Sequence, residues 1–427
     1  MEKKIAHGPP TSVTNQYVAF AGLFGFISTI VLLQELNLST VDLTTYCMLG
    51  TALPMILLDI FVLKVHERDS TGLDVKKIRP LDIKTWQRIL IKLLGLLGTL
   101  LLIAIAYWLF PEYGRKFYAP FWSFCASYLP ISLFLSVPYF IYVDRRMKDP
   151  EDGYLNAGYL FLGHFHRVDG QALKEFFLGW VIKGFFLPLM FVYFSRNVEY
   201  LSGASGESIF RSFPGFVNYF GRLAVSIDLA FVSIGYILTF RLTDSHIRSP
   251  NQLIYGWFVT LFMYVPFFSM YGSKYLDYKD NSNWVDMFGT NDVVFIYIWS
   301  AAIIFTKIMW AWSNISFGIR FSNLTHRGII TNGPYRWMRH PSYFFKNISW
   351  WLLSVPFYST EGVAESIRHS ILFLGINLIY YLRAKAEEAH LSEDPRYVEY
   401  ALWIEEHGKL RWMRRIFPFL RYVPPKA

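Results

Sequence analysis

Ten runs of mostly apolar residues constrain this chain more than any other feature it has. A helix needs about 20 such residues to cross a bilayer's hydrocarbon core. The runs are 16–36, 46–65, 89–110, 120–143, 176–194, 223–240, 254–271 and 293–314, followed by two shorter ones, 343–358 and 370–382. In lipid a backbone must satisfy its own hydrogen bonds, so runs of this length read as helices. The expected fold class is all-α: a polytopic transmembrane helical bundle of about ten spans. Composition agrees. Only 17% of the residues are charged and 53% are apolar, whereas soluble domains carry roughly 25% charged residues.

The charge between the runs gives an orientation. Basic residues crowd every second loop: Arg68 to Arg88, Arg145 to Lys174, Arg241 and Arg248, and Arg320 to Arg339. Lys3 and Lys4 precede the first run, and Arg411, Arg414, Arg415 and Arg421 follow the last. The intervening loops are poorer in cations, and 273–292 is net acidic. By the positive-inside rule both termini face the cytoplasm. One stretch fits less well: 195–222 falls outside yet holds three arginines. Basic loops of this kind account for the net charge of +9 without a nucleic-acid partner. The polar N-terminus leads into a run too long for a cleaved signal segment, so we expect an uncleaved first span and no targeting peptide. The expected location is a bacterial inner membrane, or the endoplasmic reticulum if the source is eukaryotic.

Cys47 and Cys125 lie in separate apolar runs and imply neither a disulfide framework nor a metal cluster. His164 and His166, two apart in a GHFHR sequence, have no evident carboxylate or thiol partner and read as part of a surface loop. Asp228 falls inside the sixth run, where a carboxylate is costly and often functional. Lys307 on the eighth run, Lys183 and Arg222 are its candidate partners.

The segment 328–346 reads GIITNGPYRWMRHPSYFFK. It packs Arg336, Arg339 and His340 into five residues between Pro334 and Pro341. Taken alone, its cations read as anchors at a helix end. After an apolar hairpin comes LRAKAEEAHLSEDPRYVEY, in which Arg383 and Glu387 share a helix face. Asp394-Pro395 then restarts a helix that carries Tyr397 and Tyr400.

In combination the two segments resemble the C-terminal core of the isoprenylcysteine carboxyl methyltransferase family, whose wider group includes membrane phospholipid N-methyltransferases. The matching positions are Gly333, Pro334, Tyr335, Arg339, His340, Pro341 and Tyr343, then Arg383, Glu387 and Glu388. The likeness covers roughly 318–418. It implies an integral-membrane enzyme that uses S-adenosylmethionine, held by the last helices. No G-x-G-x-x-G follows an expected strand, which agrees. By the resemblance, Gly333, Pro334, Tyr335, Arg339, His340, Pro341, Tyr343 and Glu388 bind the cofactor. Arg339 and His340 suit its carboxylate, and Tyr335 and Tyr343 offer faces to adenine or sulfonium. Glu388 or Glu387 offsets its charge or orients ribose hydroxyls. Arg383 and Glu387 lie at the transfer centre, Arg383 to hold an anionic acceptor or Glu387 to orient it. The implied partner is a lipid or lipid-linked acceptor at the cytoplasmic face.

Three departures count against a true prenylcysteine enzyme. Phe345 stands where the family has a small residue, Lys385 and Ala386 replace acidic positions, and the segment from Leu391 to Tyr397 is short. Two alternatives stay open: an NADPH-dependent membrane reductase of the sterol reductase type, and a non-catalytic transporter or scaffold that keeps the core. The chain divides into an N-terminal helical domain of unassigned role, 1–290, and a methyltransferase-like core with its tail, 291–427. The sequence leaves the oligomeric state open.

Overall fold

The computed structural model describes residues 8–33, 35–278, 284–288 and 293–424. Lys3, Lys4 and parts of the acidic loop 273–292 lie outside the described residues. The protein is a helical bundle. Its first helices are α1 (Gln16–Leu33), α2 (Thr40–Leu57, prolonged by a π-turn Leu58–Val62), α3 (Ile83–Leu109) and α4 (Ala119–Asp144). Next come α5 (Gly153–Phe161), α6 (Gly170–Gly203), α7 (Gly206–Phe210), α8 (Phe213–Ile237) and α9 (Ile254–Leu261). Two short helices follow, α10 (Ser273–Tyr275) and α11 (Trp284–Phe288). The last five are α12 (Val293–Ile315), α13 (Pro341–Ser354), α14 (Val363–Leu391), α15 (Pro395–His407) and α16 (Met413–Ile416). The two-residue strands β1 (Ser249–Pro250) and β2 (Thr325–His326) pair antiparallel.

Polar caps set where the long helices begin. The Ser39 hydroxyl accepts from the Asp42 amide at 3.1 Å and opens α2 six residues before its apolar run. Asp82 accepts from the Thr85 amide at 2.8 Å to open α3. Asp169 does the same for α6, and Ser212 for α8. Each satisfies an amide that the first helical turn leaves without a partner.

Among the described residues, seven helices are long and apolar enough to cross a membrane, so the protein is a multi-pass integral membrane protein. Their outer faces carry large exposed apolar side chains, among them Phe24 (74% exposed), Trp108 (81%) and Phe134 (76%). On a soluble protein such surfaces would aggregate; here they form a lipid-facing belt. The inner faces of α1, α2, α6 and α8 close on Phe26, Met55, Phe186, Phe191, Phe194, Phe231 and Tyr236. Inside α3, Lys92 is fully buried but paired with Asp144 at 2.9 Å and Asp152 at 3.2 Å.

Three of the ten expected spans are built differently. Run 254–271 is broken, because α9 stops at Leu261 and Pro266 has no amide hydrogen to continue a helix. Run 343–358 is the 14-residue α13, ended at Val355 in a left-handed conformation (φ 36°). At 1.5 Å per residue, α13 falls well short of the ~30 Å core. Run 370–382 is the middle of the 29-residue α14, whose ends carry Glu365, Arg368, Arg383, Lys385, Glu387 and Glu388. The stretch 195–222, expected as a loop, is mostly helical: α6 runs through to Gly203, and α7 and α8 follow.

The last elements pack on the first. α8 lies along α12, α12 along α13, and α9 against α14. Arg320 and Arg327, in the segment between α12 and α13, reach back across this junction. Arg320 Nε donates to Asp244 O at 3.0 Å, and its guanidinium lies 3.6 Å from the Asp59 carboxylate. Arg327 donates to Gly235 O at 2.7 Å and Leu238 O at 2.8 Å, carbonyls left open at the end of α8.

Candidate functional site

The two sequence segments singled out above meet in space. Gly333 takes a left-handed conformation (φ 56°) that favours glycine. A Cβ there would come within 2.4 Å of Gln16 Nε2 and 2.7 Å of Ser316 Oγ. This turn, with Pro334 at its first helical position, places Tyr335 inward. The Tyr335 ring packs edge-on against Phe317, and its carbonyl accepts from the Tyr400 hydroxyl at 2.8 Å. Pro341 starts α13 and leaves His340 and Tyr343 on its inner side, their rings stacked with centroids 5.8 Å apart. The N-terminal segment braces the turn: Thr331 donates to Pro10 O, and Asn332 to Thr14 O.

Helix α14 supplies the opposing wall. The Tyr343 hydroxyl donates to Glu387 Oε2 at 2.9 Å. Glu388 Oε1 accepts from Arg339 Nε at 2.7 Å and from His340 Nε2 at 3.1 Å, while Oε2 accepts from Lys385 Nζ at 2.8 Å. A carboxylate oxygen only accepts, so His340 Nε2 carries a proton. Arg339 also bonds the Glu405 carboxylate, and its Nη2 donates to Leu420 O at 2.7 Å. Three of its five N–H donors are therefore engaged by the protein. Arg383 bonds Asn323 Oδ1, and its guanidinium lies 5.3 Å from the Tyr343 ring centroid.

These side chains border two open cavities. Phe317, Ser322, Thr325, Tyr335, His340, Glu387 and Leu391 line both, so the two are lobes of one space. The first lobe adds Asn314, Asn323, Ser342, Tyr343, Arg383 and His390, with Asn251 and Thr260 from upstream elements. The second adds Arg320, Arg327, Ile329, Ile330, Arg339, Tyr397 and Tyr400.

Electrostatics differ sharply within this small volume. Burial raises the Glu388 carboxyl, but the His340 hydrogen bond and charge, then Arg339 and Lys385, overcome it and hold the group well below the usual carboxylate range. Burial works against the charge of Arg339, and Glu388 more than restores it, so its guanidinium stays cationic. Burial, and after it His326, pushes His390 down to about 4. Its imidazole is neutral at pH 7, with Nε2 at 2.9 Å from Ser249 Oγ.

Of the ten residues singled out by sequence, Tyr335, Arg339, His340, Tyr343, Arg383 and Glu387 line the lobes. Glu388 sits behind them as the shared anion. Gly333, Pro334 and Pro341 shape the backbone and line neither lobe. Phe345 turns away: it packs on Met309 and Trp310 of α12. Asp228 bonds Asn314 Nδ2 at 2.7 Å. Of its expected partners, Lys307 lies over Trp310, Lys183 bonds Thr239 and Arg222 lies over Tyr200. His164 and His166 are exposed, and no cluster of three metal-ligating side chains occurs among the described residues. Sequence reasoning missed Asn314, Asn323, Ser342, Asn251 and Thr260, single polar residues with no periodic or spacing signal. Ile329 and Ile330 stood inside the motif segment without being assigned.

No curated protein and no solved structure matches this chain. Residues 294–393, which run from α12 to just past α14, match the model of the isoprenylcysteine carboxyl methyltransferase (ICMT) family, so the part of the protein that builds most of this two-lobed site is an ICMT-like C-terminal core.

Proposed function

We propose that the protein is an S-adenosylmethionine-dependent methyltransferase acting on a lipid or lipid-linked acceptor at the cytoplasmic face. One observation carries this reading. Two segments about 40 residues apart converge so that Tyr335, His340 and Glu387 border both lobes at once. A transfer reaction needs such a junction, because it must hold two molecules in line.

The lining suits the cofactor's chemistry. A zwitterionic sulfonium nucleoside needs an anion, aromatic or apolar faces and hydrogen-bond donors. The second lobe offers Glu387, the Tyr335, Tyr397 and Tyr400 side chains, Ile329 and Ile330, and the remaining donors of Arg339. When bound, the cofactor supplies an activated methyl group. Glu387 lies where it can oppose the positive charge, and its hydrogen bond from Tyr343 fixes its plane. Glu388 holds Arg339 and His340 in place. Gly333, Pro334 and Pro341 set the backbone that presents them. The first lobe, with Arg383, receives the acceptor.

The purified protein should be stabilised against heat by S-adenosylmethionine and by S-adenosylhomocysteine. At 100 times Kd such binding contributes about 2.7 kcal/mol. NADPH should give no shift, which separates this reading from a reductase. His340→Ala and Glu387→Ala should lose the shift while remaining folded. A shift with NADPH alone, or none with either ligand at millimolar concentration, overturns the proposal.

A further inference from the structure

Asp228 sits on α8, outside the segment that matches the family model, yet it is bonded to the site. Its Oδ1 accepts from Asn314 Nδ2 at 2.7 Å, and Asn314 Oδ1 accepts from the Ser342 hydroxyl at 2.6 Å. Both Asn314 and Ser342 line the first lobe. With Asp228 ionised, the order of this chain follows. A carboxylate only accepts, so the Asn314 amide must turn its NH2 group to Asp228. Its oxygen then faces Ser342, and the single hydroxyl proton of Ser342 is committed to it. Ser342 has only lone pairs left for the lobe. Glu387, in the same lobe, likewise presents acceptors, because Tyr343 is the donor in their bond. Arg383 donates to Asn323 Oδ1, and its guanidinium lies among the Tyr264, Tyr343 and Tyr380 rings, 5.7, 5.3 and 5.9 Å from their centroids.

The geometry points to Asp228 as a positioning residue that, through Asn314, fixes Ser342 Oγ as a hydrogen-bond acceptor in the first lobe. The lobe then selects a methyl acceptor whose nucleophilic atom bears a hydrogen: an amine or hydroxyl on a lipid head, in preference to a carboxylate. This rests on the methyltransferase reading. The acceptor's lone pair forms the new bond to the methyl carbon as the carbon–sulfur bond breaks and its electron pair stays on sulfur. The proton that the acceptor no longer holds passes to Glu387, whose side chain is 36% exposed, and from there to water.

Full-length protein in phosphatidylcholine nanodiscs is given methyl-labelled S-adenosylmethionine and a total-lipid extract, and the labelled lipid is then treated with alkali. A methyl ester, the product of a carboxylate acceptor, releases labelled methanol. An N-methyl or ether methyl group is not released as methanol and stays in the non-volatile fraction, even where the alkali cleaves the lipid's acyl esters. The expected label is stable to base; a base-labile label overturns the inference. Asp228→Asn and Ser342→Ala should each raise KM for the extract at least tenfold, and the double variant should lose no more than either. Asp228→Glu should recover part of the loss. The thermal shift with S-adenosylhomocysteine should stay at the wild-type value throughout. Ser342→Ala removes one surface atom of the lobe and remains informative if Asp228→Asn does not fold. Additive losses, or no loss in Ser342→Ala, overturn the inference. So does an absence of label in every lipid fraction despite a normal cofactor shift. An absence of both label and cofactor shift removes the methyltransferase reading itself, and this one with it.

Discussion

Glu388 divides one carboxylate among Arg339, His340 and Lys385, with side-chain exposure of 7% on the glutamate and 6% on Arg339. Glu388→Gln leaves Arg339 buried with Glu405 as its remaining carboxylate. Breaking a buried pair in this way costs on the order of 3 kcal/mol. The folded Glu388 carboxyl lies below its ordinary value. Its stabilisation is therefore fully present above about pH 4.3, the unperturbed glutamate value, and fades as pH falls toward the lower folded value. Thermal unfolding should show Glu388→Gln well below wild type at pH 7 and the gap narrowing below about pH 4; a gap constant with pH would show that the charge is not what holds this point together. The residue scale is also where sequence reading was most uneven. The i,i+4 spacing put Arg383 and Glu387 on one face, and both do line the lobe. Spacing along one helix says nothing about partners from another. Glu387 is bonded to Tyr343, and three Arg339 donors go to Glu388, Glu405 and Leu420.

Helix α8 ends against Arg327, which is 3% exposed. Its donors reach Gly235 O, Leu238 O and, through Nε at 2.6 Å, Ser245 O. The last carbonyls of a helix have no partners within it, and a cation there also meets the negative end of the dipole. Arg327→Met strands several buried acceptors at once and should cost ~3–5 kcal/mol. Arg327→Lys keeps the charge but not the fork, so its midpoint should fall between the two. Equal midpoints for the two variants would mean that the charge adds nothing to the cap. Element ends of this kind explain why the all-α polytopic reading holds while some of the expected runs are built differently. Apolarity over a window locates α1 to α4, α6, α8 and α12, because lipid-facing and core-facing residues are both apolar. It does not register Pro266 ending the α9 region, nor how far α14 extends beyond its apolar middle into charged turns at both ends.

At the scale of the whole molecule, the upstream helices are joined to the core by polar contacts as well as by apolar packing. Asp244, fully buried, lies 3.5 Å from Arg68, 3.4 Å from Arg248 and 3.9 Å from Arg320. Gly235 on α8 lies so close to the segment after α12 that a Cβ would meet Phe321 O at 1.9 Å. Asn251 and Thr260 complete the first lobe from the upstream side. None of this was legible in the chain: the motifs resemble a family in the last quarter alone, and the other helices carry no motif to tie them to it. The physical reason is that a wall can be made of almost any polar residue at the right place, whereas the motif's turns need particular prolines and glycines. We expect residues 291–427, produced alone, to give no thermal shift with S-adenosylhomocysteine, because Arg320 and Arg327 would lose Asp59, Asp244 and the α8 carbonyls. Co-produced with residues 1–290 as a separate chain, the two pieces should purify together and recover the shift. If the short piece alone binds S-adenosylhomocysteine as the intact protein does, the upstream helices are an attached unit and not part of the site.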